Sequence, residues 1–267
     1  MNQQSKVAVI GAGVMGEALI AALISYGVKP EFITISEKRD ERAAELIAKY
    51  SIKAAPLAAN VSSADAVLLV VKPQDMGSVL EEIKGAINPA AVVITFAAGK
   101  TISFISNGLG TGNPVVRVMP NTPTLVGAGM AAASMGAGVT DAQKGFVLGF
   151  LGATGKVIEV AEELQDAVTA TSGSGPAYFF AFVEAMVAGA KELGLNDADA
   201  TTLTVQTIVG AAKLLGESGK SATTLRENVT SPNGTTAAAL ASFGSSDLNS
   251  MVAKAMKAAR DRSQELA

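Results

Sequence analysis

Short runs of Val, Ile and Leu recur along the first 120 residues, and helical stretches separate them. Residues 6–10, Lys-Val-Ala-Val-Ile, lead into Gly11-Ala-Gly-Val-Met-Gly16 and then into Glu17-Ala-Leu-Ile-Ala-Ala-Leu-Ile, which reads as strand, glycine turn and helix. A β-like run at 32–36 precedes a charged helical stretch at 37–50, and further runs lie at 65–71, 91–96 and 115–119. The later runs, at 65–71, 91–96 and 115–119, are continuous in Val, Ile and Leu, the pattern of strands buried on both faces of a parallel sheet. Strands alternating with helices predict an α/β domain, a Rossmann-type doubly wound parallel sheet, over residues 1–160.

Beyond residue 159 the strand signals stop, and residues 161–267 read as all-α, with Gly, Ser and Pro clusters at 172–176, 216–221 and 228–234 as breaks. The stretches 177–193 and 198–215 are apolar or small on nearly every face, which predicts burial on all sides. About 100 residues bury too little surface alone for that. Intertwining with a second copy is the simplest solution, so a homodimer is expected in place of a compact monomeric helical domain. The second half, residues 161–267, is therefore expected to be a dimerisation domain.

Composition narrows the chemistry. The chain has 267 residues, 49% hydrophobic and 17% charged, with a net charge of −3 and no basic tract, so neither nucleic acid nor an anionic membrane is an expected partner. Residues 177–190 are the most apolar stretch, but they would span only about 21 Å as a helix, short of a bilayer. A strand pattern begins within five residues of Met1, where a signal peptide would need its charged and apolar regions, so a cytoplasmic location is expected. Histidine and cysteine are both absent, which eliminates a Ser-His triad, a thiolate nucleophile and His- or Cys-ligated metal sites; no metal is expected. A cofactor that carries the difficult step fits such a chain.

The glycine turn supplies the candidate cofactor site. Gly11 permits the tight turn, Gly13 close approach of a pyrophosphate, and Gly16 close packing of helix on strand, while Ala12, Val14 and Met15 complete the loop. The second strand of an NAD enzyme usually ends in an acidic residue that binds the ribose 2′-hydroxyl. Here Ser36 occupies that position, followed by Glu37, Lys38 and Arg39. A hydroxyl and two cations suit a 2′-phosphate, so NADPH is favoured, and Glu37 leaves NADH open. Two further strand ends face the same crevice: Val70, Val71, Lys72 and Pro73; and Phe96 to Gly99, where the small Ala97, Ala98 and Gly99 leave room for a flat ring. In the second half, Thr171-Ser-Gly-Ser-Gly-Pro-Ala-Tyr178 and Ser231-Pro-Asn-Gly-Thr-Thr236 each introduce a helix and read either as caps or as anion sites.

Those two segments, with Val-Lys-Pro, Ala-Ala-Gly and Met-Pro-Asn-Thr-Pro in the first half, resemble pyrroline-5-carboxylate reductase over essentially the whole chain. The resemblance implies reduction of a cyclic imine acid, 1-pyrroline-5-carboxylate, to L-proline with NAD(P)H, the last step of proline biosynthesis. It also implies homodimers with interlocked helical domains, often assembled into decamers. By position it implies that Ser231, Gly234 and Thr235 hold the substrate carboxylate and that Thr236 bonds the ring nitrogen. Gly11 to Met15, Ser36, Val70 to Pro73 and Ala97 to Ala98 would contact the cofactor. Three positions depart from the family pattern: Asn233 stands where glycine is usual, Lys220-Ser221 where Glu-His is frequent, and Asn60 lies several positions from an asparagine often found near the adenine. A β-hydroxyacid dehydrogenase shares this layout but needs a catalytic lysine beside its serine-glycine motif. Lys191, Lys213, Lys220, Lys254 and Lys257 do not supply one there. A dinucleotide sensor without turnover is the alternative outside enzymes.

Overall fold

The structure, a computed structural model, describes residues 1–266. The chain packs as two units, one formed by residues 1–174 together with 259–266 and one by 175–258.

In the first unit the order is β1 (Val7–Ile10), α1 (Val14–Tyr26), β2 (Ile33–Ser36), α2 (Asp40–Tyr50), β3 (Lys53–Ala54), α3 (Leu57–Ser62), β4 (Ala66–Leu69), α4 (Met76–Ile83), β5 (Val92–Thr95), α5 (Ile102–Leu109), β6 (Val115–Met119), β7 (Gly129–Met135), α6 (Asp141–Gly152), β8 (Gly155–Glu159) and α7 (Gln165–Val168). The eight strands form one sheet in the order β3-β2-β1-β4-β5-β6-β7-β8. Every pairing is parallel except β6 with β7. The sheet is thus mostly parallel and carries strands that the hydrophobic pattern does not announce. β3 is only two residues long, and β7, Gly-Met-Ala-Ala-Ala-Ser-Met, lacks the β-branched residues that mark the others.

Successive strand residues point to opposite faces and feed two cores. Val7, Val9, Ile33, Ile35, Leu68 and Ile94 join α1 and α6 on one side. Ala8, Ile10, Val67, Leu69 and Val93 join α4 and α5 on the other. Strand order reverses beside β1, whose neighbours are β2 and β4, so the crevice beyond the carboxyl ends of these strands is the expected ligand position.

The second unit holds α8 (Gly175–Glu192), α9 (Asp197–Glu217), α10 (Ala222–Asn228), α11 (Thr235–Ser245) and the first part of α12 (Leu248–Glu265). Breaks fall near 218–221 and 229–234 as expected, and the one at 172–176 narrows to a bend at Ser174, after which α8 begins with Pro176 in its first turn. Residues Thr169–Gly173 continue α7 as a π-helical turn, leading into α8. The hydroxyls of Thr169, Thr171 and Ser172 donate to the carbonyls of Gln165, Ala167 and Val168, one turn back, so residues that favour loops are absorbed into a helix.

The expectation of all-round burial for these helices does not hold within one chain. Phe179 and Phe180 are each 63% exposed and Leu193 89%, and Leu203, Val209, Leu214 and Met251 are exposed as well. Their burial needs atoms from outside the unit. No helix among the described residues is long and apolar enough to cross a membrane.

Candidate cofactor and substrate sites

β1 delivers the chain into Gly11, whose φ of +88° turns it sharply toward α1. A Cβ at Gly16 would lie 2.4 Å from the Gly11 carbonyl oxygen, so only glycine lets α1 start this close to the strand. At Gly13 a Cβ would meet nothing within 4 Å, and Gly13 caps α1 without a side-chain bond. The first-turn N–H groups of α1, from Val14 and Met15 onward, therefore lack a capping side chain and border open space, a cradle that fits an anionic pyrophosphate.

The loop is gripped from α2's side. Arg42 Nε donates to the Ala12 carbonyl at 3.1 Å, and the Glu37 carboxylate accepts the Ala12 N–H at 3.0 Å. Ser36 ends β2 as expected, but its hydroxyl donates to the Ala55 carbonyl at 2.9 Å and accepts from Asn60 Nδ2 at 3.0 Å. Its proton is thus committed within the fold. Asn60, off register by sequence, is buried at the end of β2 and also donates to Thr34. Lys38 is exposed, and Arg39 Nε pairs with Glu37 Oε1 at 3.0 Å. The sequence signal for Asn60 was its polarity within a short helix packed on strand ends, and for Glu37 its place directly after β2.

Val70, Val71, Lys72 and Pro73 follow β4. Val70 N–H still bonds Ile10, and Pro73 opens a short 3-10 turn. Ala97 and Ala98 follow β5, and Gly99, at φ +75°, turns the chain beneath residues 263–266: a Cβ there would lie 2.7 Å from Leu266 Cβ. Behind this loop the buried Arg117 pairs with Asp166 at 3.2 Å and with Glu162 at 3.5 Å. Asp166 Oδ1 also accepts from Ser263 Oγ at 2.8 Å, and Glu162 accepts the Ile102 N–H at 2.7 Å.

In the second unit, Gly234 N–H bonds Ser231 O at 3.0 Å across Pro232 and Asn233. Proline in the second place and a positive φ in the third describe a type II turn. Asn233, where the family pattern has glycine, takes φ +60°, a conformation asparagine tolerates better than other side-chain-bearing residues. Gly234 caps α11 with no side-chain bond, and Ser231 and Thr235 are exposed while Thr236 is half-buried. The turn therefore presents two hydroxyls and uncapped helical N–H groups together, a combination suited to a carboxylate.

Comparison with known proteins places these features. Residues 6–99 match the family "NADP oxidoreductase coenzyme F420-dependent", and residues 162–266 match "Pyrroline-5-carboxylate reductase dimerisation", so the second half carries an association module. The pyrroline-5-carboxylate reductase of Corynebacterium melassecola is 41% identical over 264 residues, 97% of this chain and 98% of that one. Among solved structures, a pyrroline-5-carboxylate reductase from Coxiella burnetii superposes with a TM-score of 0.91 at 35% identity, covering 99% of each chain. The Plasmodium falciparum pyrroline carboxylate reductase with NADP bound gives 0.88 at 28% identity, covering 100% of this chain and 99% of that one. Likeness of this degree, carried from the glycine turn through the last helix, shows that the chain belongs to the pyrroline-5-carboxylate reductase family.

Proposed function

We propose that this chain reduces 1-pyrroline-5-carboxylate to L-proline with NADPH, as the last step of proline biosynthesis in the cytoplasm. The observation that carries the reading is the pairing, in one chain, of an uncapped glycine turn in the first unit with the Ser231–Thr236 turn in the second. The dinucleotide, when bound, supplies the hydride. The chain supplies position: Gly11 to Met15 hold the pyrophosphate, Val70 to Pro73 and Ala97 to Ala98 border the ring, and Lys38 and Arg39 meet the 2′-phosphate. Ser231, Gly234 and Thr235 hold the substrate carboxylate. Thr236 bonds the ring nitrogen, which is protonated in the reactive iminium and carries that proton into proline. A protonated cyclic imine accepts hydride readily, so no general acid beyond this hydroxyl is needed, in keeping with a chain without histidine. The active form is a homodimer in which the helical units interlock.

The dehydrogenase reading has little support: Lys191 is tied to Asp197 at 2.6 Å, away from either glycine-serine segment in sequence. The test is NADPH oxidation with five- and six-membered cyclic imine carboxylates beside an open-chain hydroxyacid and a keto acid. Rapid turnover is expected with the five-membered imine, and activity confined to the open-chain compounds ends the proline reading.

A further inference from the structure

Glu37 is the first residue beyond β2, and its side chain is only 8% exposed. Oε2 accepts the Ala12 N–H at 3.0 Å, so the carboxylate is tied to the turn that receives the pyrophosphate. Oε1 accepts from both the backbone N–H and Nε of Arg39, at 3.1 and 3.0 Å. Burial pushes this carboxyl up, but the pair with Arg39 and the Ala12 and Arg39 N–H groups outweigh burial and hold it below its usual value. It is charged at neutral pH.

In folds of this kind the adenosine ribose lies at the end of β2, and a carboxylate there accepts its hydroxyls. Oε2 has only one donor and keeps room for another. A 2′-phosphate brought to the same place meets a fixed negative charge. Its natural partner, Arg39, is already engaged by that charge, and the Ser36 hydroxyl is committed to Ala55.

We propose that Glu37 is the specificity-determining residue of the cofactor site: it accepts the ribose 2′-hydroxyl of NADH, and NADPH binds only as Arg39 exchanges Glu37 for the 2′-phosphate. The consequence is a reductase that takes NADH nearly as well as NADPH, with the preference graded by a carboxylate that competes with the 2′-phosphate for Arg39. The inference rests on the reductase reading and adds the residue that grades its cofactor.

The experiment is titration of NAD⁺ and NADP⁺ by calorimetry, which needs no turnover, with the wild-type chain, Glu37→Gln and Arg39→Ala. In the wild type the two dissociation constants should lie within about tenfold of each other. Gln keeps an acceptor for the Ala12 N–H, so the turn is preserved, while the negative charge is lost. Glu37→Gln should move the affinity ratio toward NADP⁺ by about tenfold, and Arg39→Ala should move it toward NAD⁺. A shift below about threefold in Glu37→Gln, or one toward NAD⁺, overturns the proposal. Should Glu37→Gln fail to fold, a wild-type preference for NADP⁺ above about tenfold overturns it, and a smaller one supports it. Failure of this kind in a chain that still reduces the cyclic imine leaves the reductase reading intact, whereas a wild type that binds neither dinucleotide sinks both.

Discussion

Arg42 binds two parts of the fold at once, and the anion it shares sets a pH dependence. Its guanidinium pairs with Glu17 and with Glu45, and Lys49 Nζ and Tyr50 Oη also donate to Glu17, at 2.8 and 3.0 Å. Lys49 foremost, with Arg42 and Tyr50, holds the Glu17 carboxyl down at about 2 from its ordinary 4.5 against the opposing effect of burial. A depressed folded-state value means stability that is complete above the unfolded value and is lost as pH falls through the folded one. Glu17→Gln should therefore lower stability at pH 7 by about 1 to 2 kcal/mol after allowance for solvent screening, seen as a lower melting midpoint. The gap to wild type should close between about pH 4.5 and pH 2, read from melting curves in that window; a gap that persists unchanged at the low end contradicts the assignment. Thr236 belongs to the same scale. Thr236→Val keeps its branched shape and removes the hydroxyl, so kcat/KM should fall by roughly 5- to 150-fold, or about 1 to 3 kcal/mol. Binding of NADP⁺ should hardly change, and Thr236→Ser should recover much of the rate. A Val variant with near-normal kcat/KM removes Thr236 from the site.

At the scale of elements, the strand that carries Arg117 and the last turns of α12 are joined by one carboxylate. Asp166 receives both Arg117 and Ser263, and Arg117 is buried. Asp166→Ala should leave that cation short of partners and cost about 3 kcal/mol, while Ser263→Ala should cost only about 1. Urea midpoints measure both, and equal small losses would show that Asp166 does not hold the cation. None of this was legible in the sequence, because Asp166 and Ser263 lie far apart along the chain and neither sits in a motif. What was legible is what depends on neighbours in sequence. Short runs rich in Val, Ile and Leu marked β1, β2, β4, β5 and β6, and the Gly11–Gly16 spacing marked the turn. The alanine-rich β7 and the π-helical turn at Thr169–Gly173 stayed hidden, since pairing with β6 and carbonyls one turn back decide those conformations. At the candidate cofactor site, sequence order named Ser36 and Arg39. Only the fold revealed that Asn60 and Glu37 occupy them first.

For the whole molecule, the helical unit sets the state of association. Its helices bury only a few side chains within one chain, such as Ala200 and Thr204, and leave Phe179, Phe180 and Leu193 in water. Each such side chain contributes about 1.5 to 3 kcal/mol when fully buried, so a partner that covers them stabilises the fold substantially. Light scattering should accordingly find no stable monomer at micromolar concentration, and melting should shift upward with protein concentration. A monodisperse species near 26.9 kDa contradicts this.

The return of residues 259–266 to the first unit also orders events during synthesis. Domains generally begin folding as they leave the ribosome, N-terminal part first. Here the strands and both cores of the first unit emerge early, yet Leu266 and Ser263, which cover Gly99 and complete the Asp166 cluster, are translated only after the entire helical unit. The nucleotide-binding unit is thus the first to be started and the last to be finished, and the nascent chain carries its loop at 97–99 bare until the exposed apolar helices have already been made.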